Sequence, residues 1–306
     1  MKVPAMFSNK TNFLALLLVM TVLTGCATGR SDHRTPFAVD ATDFPETRVT
    51  SVIEQDELLV RSAGKSGLFA SKRSKGDAAP GEAAVAGLQD AVAAINVRSE
   101  MAQELEKNGR KGFPFPISDV ESRAFALTEP AARLQSYDEG ALLLVESEYY
   151  FTPDYMGLRV ESKATLFAKG SALGSKAGKK GGDTPETVYA NTIIVSWEVP
   201  QSAQDDPLSY WLVNDGAQAV DALRDALREA ARLLVWDIND YNGKVKSKIK
   251  PEAFALADPK GSGMTSVKGT LILETVLRMI VRLPSGELLS LPNPEPQQAA
   301  RRDPNS

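Results

Sequence analysis

The chain has 306 residues, 43% of them apolar and 24% charged, with a formal net charge of −4. That is the composition of a folded protein long enough to bury a sizeable core, and with no basic excess nucleic acid is not expected as a partner. One cysteine, Cys26, and one histidine, His33, exclude an internal disulfide, Ser-His-Asp or Cys-His catalysis in the folded region, and multi-histidine metal sites.

The N-terminal stretch reads in three parts. Met1 to Asn12 carries Lys2 and Lys10 and no acid, Phe13 to Leu23 ("FLALLLVMTVL") is almost wholly apolar, and small residues close the run. This is the pattern of an export signal. The run is too short to span a bilayer, which takes about 20 apolar residues. Leu23-Thr24-Gly25-Cys26 resembles the lipobox of bacterial lipoproteins. The resemblance covers only about the first 27 residues. It implies cleavage after Gly25, a diacylglycerol on the Cys26 sulfur and acylation of the freed amine. With Ala27 rather than aspartate next in line, it also implies sorting to the outer membrane. A thiolate forms thioethers readily, and several acyl chains anchor stably where one does not. The competing reading, a buried inert cysteine after an N-terminal helix, leaves the basic flank and the small exit residues as coincidences. Residues 1–25 are therefore expected as signal and 26–46 as a lipidated tether that includes His33. Loss of Lys2 and Lys10 with the signal takes the net charge from −4 to −6.

A single α+β domain is predicted over 47–291. "RVTSVIEQDELLVRS" (48–62) has room for one or two short strands, and "GKSGLFASKRSKGDAAPGE" (64–82) has the composition of a mobile loop. Val85, Leu88, Val92, Ile95, Ala102 and Leu105 recur at helical spacing, broken at Ser99, and "KNG" at 107–109 offers a stop with Gly109 as a left-handed cap. "FPFPISD" then leaves the helix, since proline biases the residue before it toward extended backbone. Residues 141–170 predict a hairpin turning at "TPDYMG". Leu143, Val145, Tyr149 and Phe151 share one face of its first strand, with Glu146 and Glu148 on the other. Leu158, Val160, Ala164 and Leu166 alternate with Arg159, Glu161, Lys163 and Thr165 in its second.

A second mobile loop (170–183) leads to a strand ending at Pro200. A helix from about Gln218 to Ile238 follows, with Asn214 or Asp215 as its cap. Its apolar stripe is Val220, Leu223, Leu227, Leu234 and Ile238. Asp221, Asp225 and Glu229 stand one turn from Arg224, Arg228 and Arg232, as in i, i+3 ion pairs. "SVKGTLILETVLRMIVRL" reads as one strand with Val267, Leu271, Leu273, Leu277, Met279, Val281 and Leu283 on one face. It turns at "PSGE" into "LLSLP", and residues 292–306 are disordered in composition. This order predicts an antiparallel sheet with helices packed on one face.

Few residues carry chemistry. "AGKSG" (63–67) lacks the glycine a phosphate loop needs five residues before Gly64, where Leu59 stands. Ser62 and Ser247 begin Ser-x-x-Lys patterns without the companion motifs of serine–lysine enzymes. Glu146 with Glu148, and Asp237 with Asp240, are carboxylate pairs whose Arg and Lys neighbours suggest solvated faces. Lys176, Lys179 and Lys180 suit a solvated loop or a weak contact with an anionic envelope polymer or lipid headgroups. Tyr150 and Tyr155 beside the hairpin turn are core packing or, if exposed together, a partner surface. No catalytic, metal or cofactor site is expected. The expected function is that of an outer-membrane-anchored periplasmic lipoprotein acting as a binding or assembly module. Its membrane contact is the lipid anchor and its partner is another envelope protein. The alternative is a periplasmic hydrolase using carboxylate or Ser/Lys chemistry.

Overall fold

The structure, a computed structural model, describes residues 35, 37, 44–60, 82–173, 184–240 and 250–294. The export signal, Cys26, most of the loops at 64–82 and 170–183, Ser62, Ser247 and the tail beyond 294 lie outside these residues. Strands β1 (Thr47–Val52) and β2 (Leu59–Val60) come first, then helices α1 (Glu82–Ala93) and α2 (Val97–Gly112). Strand β3 (Ile117–Arg123) and the short α3 (Pro130–Leu134) precede the hairpin β4 (Ala141–Phe151) and β5 (Gly157–Lys169), joined by β6 (Pro185–Glu198). The long α4 (Pro207–Asp240) is followed by β7 (Glu252–Ala257), β8 (Met264–Glu274), β9 (Arg278–Arg282) and β10 (Leu288–Pro292).

The strands run in the order β3-β1-β4-β5-β6-β10-β9-β8-β7, with β2 added beside β4. The sheet is mixed, which corrects the antiparallel expectation. β1 is parallel to both β3 and β4, and β10 is parallel to β6. A parallel pair needs a crossover, and α1 with α2 supply it between β1 and β3. Only the β4–β5–β6 meander and the chain from β7 to β10 are antiparallel.

Helix placement is also less one-sided than expected. Leu88, Val92, Met101 and Leu105 of α1 and α2, with Leu223, Leu227 and Leu234 of α4, pack on the face carrying Leu143, Val145, Leu158 and Val160. The opposite face carries Val52, Leu142 and Leu144, which Leu127, just before α3, and Leu134 of α3 cover. Farther along that face Phe254 and Leu256 of β7 close over Val281, Leu289 and Leu291. The domain also begins earlier than position 47. Phe37 and Phe44, within the expected tether, are buried with Phe113 and Phe115 in edge and stacked ring contacts of 5.1–5.7 Å.

Local chemistry explains where the helices break. The expected single helix splits because Asn96 accepts the Ser99 N–H at 3.1 Å and caps a new start. Gly109 does not stop α2. It lies inside the helix, where a Cβ would meet the Phe113 ring at 2.7 Å, so it admits that ring. In α4 the break at Val213–Gly216 puts Asn214, Asp215 and Gly216 at φ of 51°, 56° and 84°. Asn and Asp tolerate this region, and at Gly216 a side chain would also strike Ala91 at 2.6 Å.

On α4, Asp225–Arg228 and Glu229–Arg232 pair at i, i+3, while Arg224 reaches across to Glu100 of α2 at 3.0 Å. Leu227 is 1% exposed on the opposite side of the helix. Leu227→Asp leaves a buried carboxylate without a partner and should cost more than about 4 kcal/mol. Arg228→Ala, on the wet face, should cost about 0.5 kcal/mol. Urea denaturation separates the two, and equal midpoints would show that the stripe through Leu227 is not the buried one.

Candidate functional site

The outward face of β4, β5 and β6 gathers most of the polar residues singled out in the sequence. Register places Glu146 opposite Lys163, Glu148 opposite Glu161 and Tyr150 opposite Arg159, with Thr192, Ile194 and Ser196 next across. Burial pushes the Glu146 carboxyl up from its ordinary range; Lys163, 4.0 Å away, opposes this and nearby Glu54 adds to it. Two carboxylates opposite each other in adjacent strands repel unless other groups hold them. The Tyr150 hydroxyl donates a short hydrogen bond to Glu161.

That bond corrects the expected aromatic partner surface. Tyr150 is 2% exposed. Tyr155, at φ 57° in the turn, is half-buried against the core with its ring 6.0 Å from Phe151. Its carbonyl accepts the Trp211 indole N–H at 2.7 Å. The two tyrosines brace the β4–β5 hairpin and present no joint surface.

At the same end of the meander, carboxylates and an arginine stitch the β7–β8 hairpin to the β4–β5 turn. Glu198 accepts the Ser196 hydroxyl at 2.5 Å and the Ala257 N–H at 2.8 Å. Asp154 accepts the Thr152 hydroxyl at 2.7 Å and the Gly263 N–H at 2.8 Å. Arg159, 4% exposed, donates to the Ala257 carbonyl, while its Nε is buried without a hydrogen-bond partner. Burial raises the Glu198 carboxyl above its usual range, and Ser196, Arg159 and the Ala257 N–H only partly counter this.

Asp237, expected on a solvated face, is fully buried. It accepts from the Tyr189 hydroxyl (2.9 Å), Asn191 Nδ2 (2.7 Å) and Arg282 Nη2 (3.0 Å), tying α4 to β6 and β9. This is a satisfied structural network. Among the described residues no group of three or more His, Cys, Asp or Glu is placed to hold a metal, and no helix is long and apolar enough to cross a membrane.

A cleft of about 580 Å³ opens where the β1–β2 loop meets the junction of α1 and α2. The Gln55 side chain substitutes for a strand there: Nε2 donates to the Tyr149 carbonyl at 2.8 Å and Oε1 accepts the Tyr149 N–H at 3.0 Å. Arg98 holds the loop from the other side, donating to the carbonyls of Ile53 (2.7 Å) and Gln55 (3.1 Å) and pairing with Asp56. Val92 and Leu58 line its apolar part, and Asp56, Glu57 and Asp90 stand at its polar part. Such a concavity suits an extended segment bearing donors or positive charge. Reading the sequence missed it, because its walls come from residues some 40 positions apart that no single periodicity links.

No family model matches the chain, and the search of curated proteins gives no match. Among solved structures the chain is similar to the PelC dodecamer from Paraburkholderia phytofirmans. That likeness is at 11% identity and a TM-score of 0.22, covering 65% of this chain and 94% of that one. A likeness at that level carries no argument about fold or function.

Two expected outcomes test this geometry. Tyr150→Ala should destabilise the domain by about 3–5 kcal/mol, as large-to-small core changes do, and Tyr150→Phe by about 1–2 kcal/mol through loss of the bond to Glu161. Wild-type urea midpoints for both would return Tyr150 to the surface. The second outcome concerns Glu198. Because its folded-state pKa is raised, folding takes up a proton, so its stability contribution is full below the unfolded carboxylate range and is lost as pH rises through the raised value. Glu198→Gln should match the wild-type melting temperature near pH 4 and exceed it near pH 8. A difference independent of pH would contradict the burial of this carboxyl.

Proposed function

We propose that this protein is an exported lipoprotein, held by Cys26 at the periplasmic side of a bacterial outer membrane, whose folded domain is a binding or assembly module for another envelope protein. The observation that carries the reading is Leu23-Thr24-Gly25-Cys26 at the end of the apolar run Phe13 to Leu23. A lone cysteine in a long chain, set after a basic start and small exit residues, fits lipid attachment better than packing. Ala27 supports the outer membrane as destination.

The folded part supports a contact role through the cleft between the β1–β2 loop and the α1–α2 junction. Gln55 and Arg98 pre-form it, which lowers the ordering cost of binding. Its acidic rim favours a partner segment with lysine, arginine or backbone donors.

In cells, Cys26→Ser should abolish palmitate incorporation and release the protein from the membrane fraction, because a hydroxyl does not replace the thiol in thioether formation. A photo-crosslinking residue at Gln89, in the cleft, should capture an envelope protein in the anchored form and much less of it in the Cys26→Ser form. Continued palmitate labelling of the variant would remove the lipoprotein reading; equal capture by both forms would remove the dependence on anchoring.

A further inference from the structure

Thr275, Val276 and Leu277 connect β8 to β9, and Val276 and Leu277 at the tip are each 74% exposed. Loops of this length ordinarily carry Asn, Asp or Gly, and neither residue here has a positive φ. Turn geometry therefore gives no reason for two large aliphatic side chains at this tip.

The tip is also rigidly built. Thr275 N–H donates to the Arg278 carbonyl at 2.8 Å, and Arg278 N–H returns to the Thr275 hydroxyl at 2.9 Å. Asn293, 7% exposed, donates its N–H to the Leu277 carbonyl at 2.9 Å and Nδ2 to the Thr275 carbonyl at 2.8 Å. Of the two neighbouring charges, Arg278 is drawn inward, while the exposed Glu274 is held at the base of the tip by Asn293. Arg278 is 8% exposed, its guanidinium 4.4 Å over the Trp197 ring, and the Glu274 carboxylate accepts from Asn293 at 3.2 Å.

Register gives the tip its place. Arg278 pairs with Pro292 of β10, and β10 runs parallel to β6 with Ser290 beside Val195, so the tip stands at the C-terminal end of β6. Thr35 bridges Ala190 of the same strand, about 25 Å back along the strand direction. Nine peptide links join Cys26 to Thr35, a reach of at most about 30 Å. A lipid on Cys26 and the Val276–Leu277 tip can thus meet one membrane surface.

We propose that this tip is a second membrane contact, inserted among the headgroups and upper acyl chains of the bilayer that holds the Cys26 lipid, and that it sets the orientation of the domain on that bilayer. The proposal rests on the lipoprotein reading above. Two side chains offer far less area than the roughly 800 Å² each partner gives to a standard protein interface, whereas a bilayer asks for no complementary shape. Their insertion alone is weak and becomes effective when the anchor holds the tip at the surface. Asp205 and Asp206, exposed just beyond the end of β6, mean that apolar insertion and not attraction to anionic lipid makes this contact, so added salt leaves it unchanged.

The test uses full-length lipidated protein in phosphatidylcholine vesicles whose acyl chains carry bromine, a short-range quencher of indole fluorescence. Leu277→Trp should lose most of the added emission relative to vesicles without bromine, in low and high salt alike. Thr187→Trp, replacing an exposed side chain near the start of β6 and about ten residues back along that strand from the end where the tip stands, should keep its emission; the unsubstituted protein supplies the background of its own tryptophans. An unquenched Leu277→Trp in protein that carries palmitate overturns the tip contact and leaves the lipoprotein reading intact. Equal quenching of both variants also overturns it. Absence of palmitate removes the lipoprotein reading and this proposal with it.

Discussion

Strand β4 is apolar on both faces over its first half, with Leu143 and Val145 pointing one way and Leu142 and Leu144 the other, all buried. A strand of this kind must be covered twice, and that requirement organises the molecule. One face takes α1, α2 and α4. Among the described residues the other has no long helix, and it is closed in pieces, by α3 over β1 and β4 and by the β7–β8 hairpin over β9 and β10. Where these covers stop, the face must be polar, and there the register sets Glu146, Glu148, Glu161 and Lys163. The carboxylate face is a remainder of the packing solution, and its residues answer first to one another.

The piecemeal cover needs fastening, because a two-stranded ribbon is marginal by itself. Glu198, Arg159 and Asp154 provide it at the cost of burying charge. A partly compensated buried carboxylate is destabilising on its own, yet removing one member of such a set leaves the others unsatisfied. Asp237 shows the completed version, with three donors converging on one carboxylate. Arg159, with its buried Nε unpartnered, shows the incomplete one.

Local pattern was legible in the sequence, and partner choice was not. The β4–β5 hairpin, the inward faces of both its strands and, Val220 apart, the stripe of α4 follow from periods of 2 and 3.6, and the structure keeps them. Parallel pairing of β1 with β4 or of β6 with β10 depends on which strand the chain returns to after its crossover, and the periodicity of the crossover helices does not carry that choice. Tyr150 shows the same limit at one residue: alternation puts it on the outward face, yet it is buried there, bonded to Glu161 and paired with Arg159, whose guanidinium reaches Ala257 of β7 a hundred positions later. Strand β3, rich in Ser, Asp and Glu, has little β propensity and forms because β1 offers it an edge. Phe37 and Phe44 sit in a stretch whose composition reads as tether, and the rings of Phe113 and Phe115, with the Thr35–Ala190 bridge, draw them into the core. The cleft was invisible for the reason the parallel pairs were, since its walls meet only in three dimensions.

Leu277 is the most informative disagreement. Its place in the alternation Leu271, Leu273, Leu277, Met279 assigns it to the core, yet the strand turns at Thr275 and leaves it in solvent while the next residue, Arg278, goes inside. An ordinary hairpin does the opposite. Burial draws the Arg278 guanidinium down to about 10, still charged at neutral pH, and it is compensated by the Ser196 carbonyl at 2.6 Å, the Trp197 ring and the more distant field of Glu229 and Asp225. A fold selected for stability alone would exchange the two residues, gaining apolar burial and releasing the charge. Where local rules are broken at a braced, well-formed turn and the neighbourhood supports the exception, the exception is being kept for what it does outside the molecule. That argument ties the tip to the anchor: an apolar point that gains nothing from the protein's own core has its return at an apolar phase beyond it, and the lipobox puts such a phase within reach.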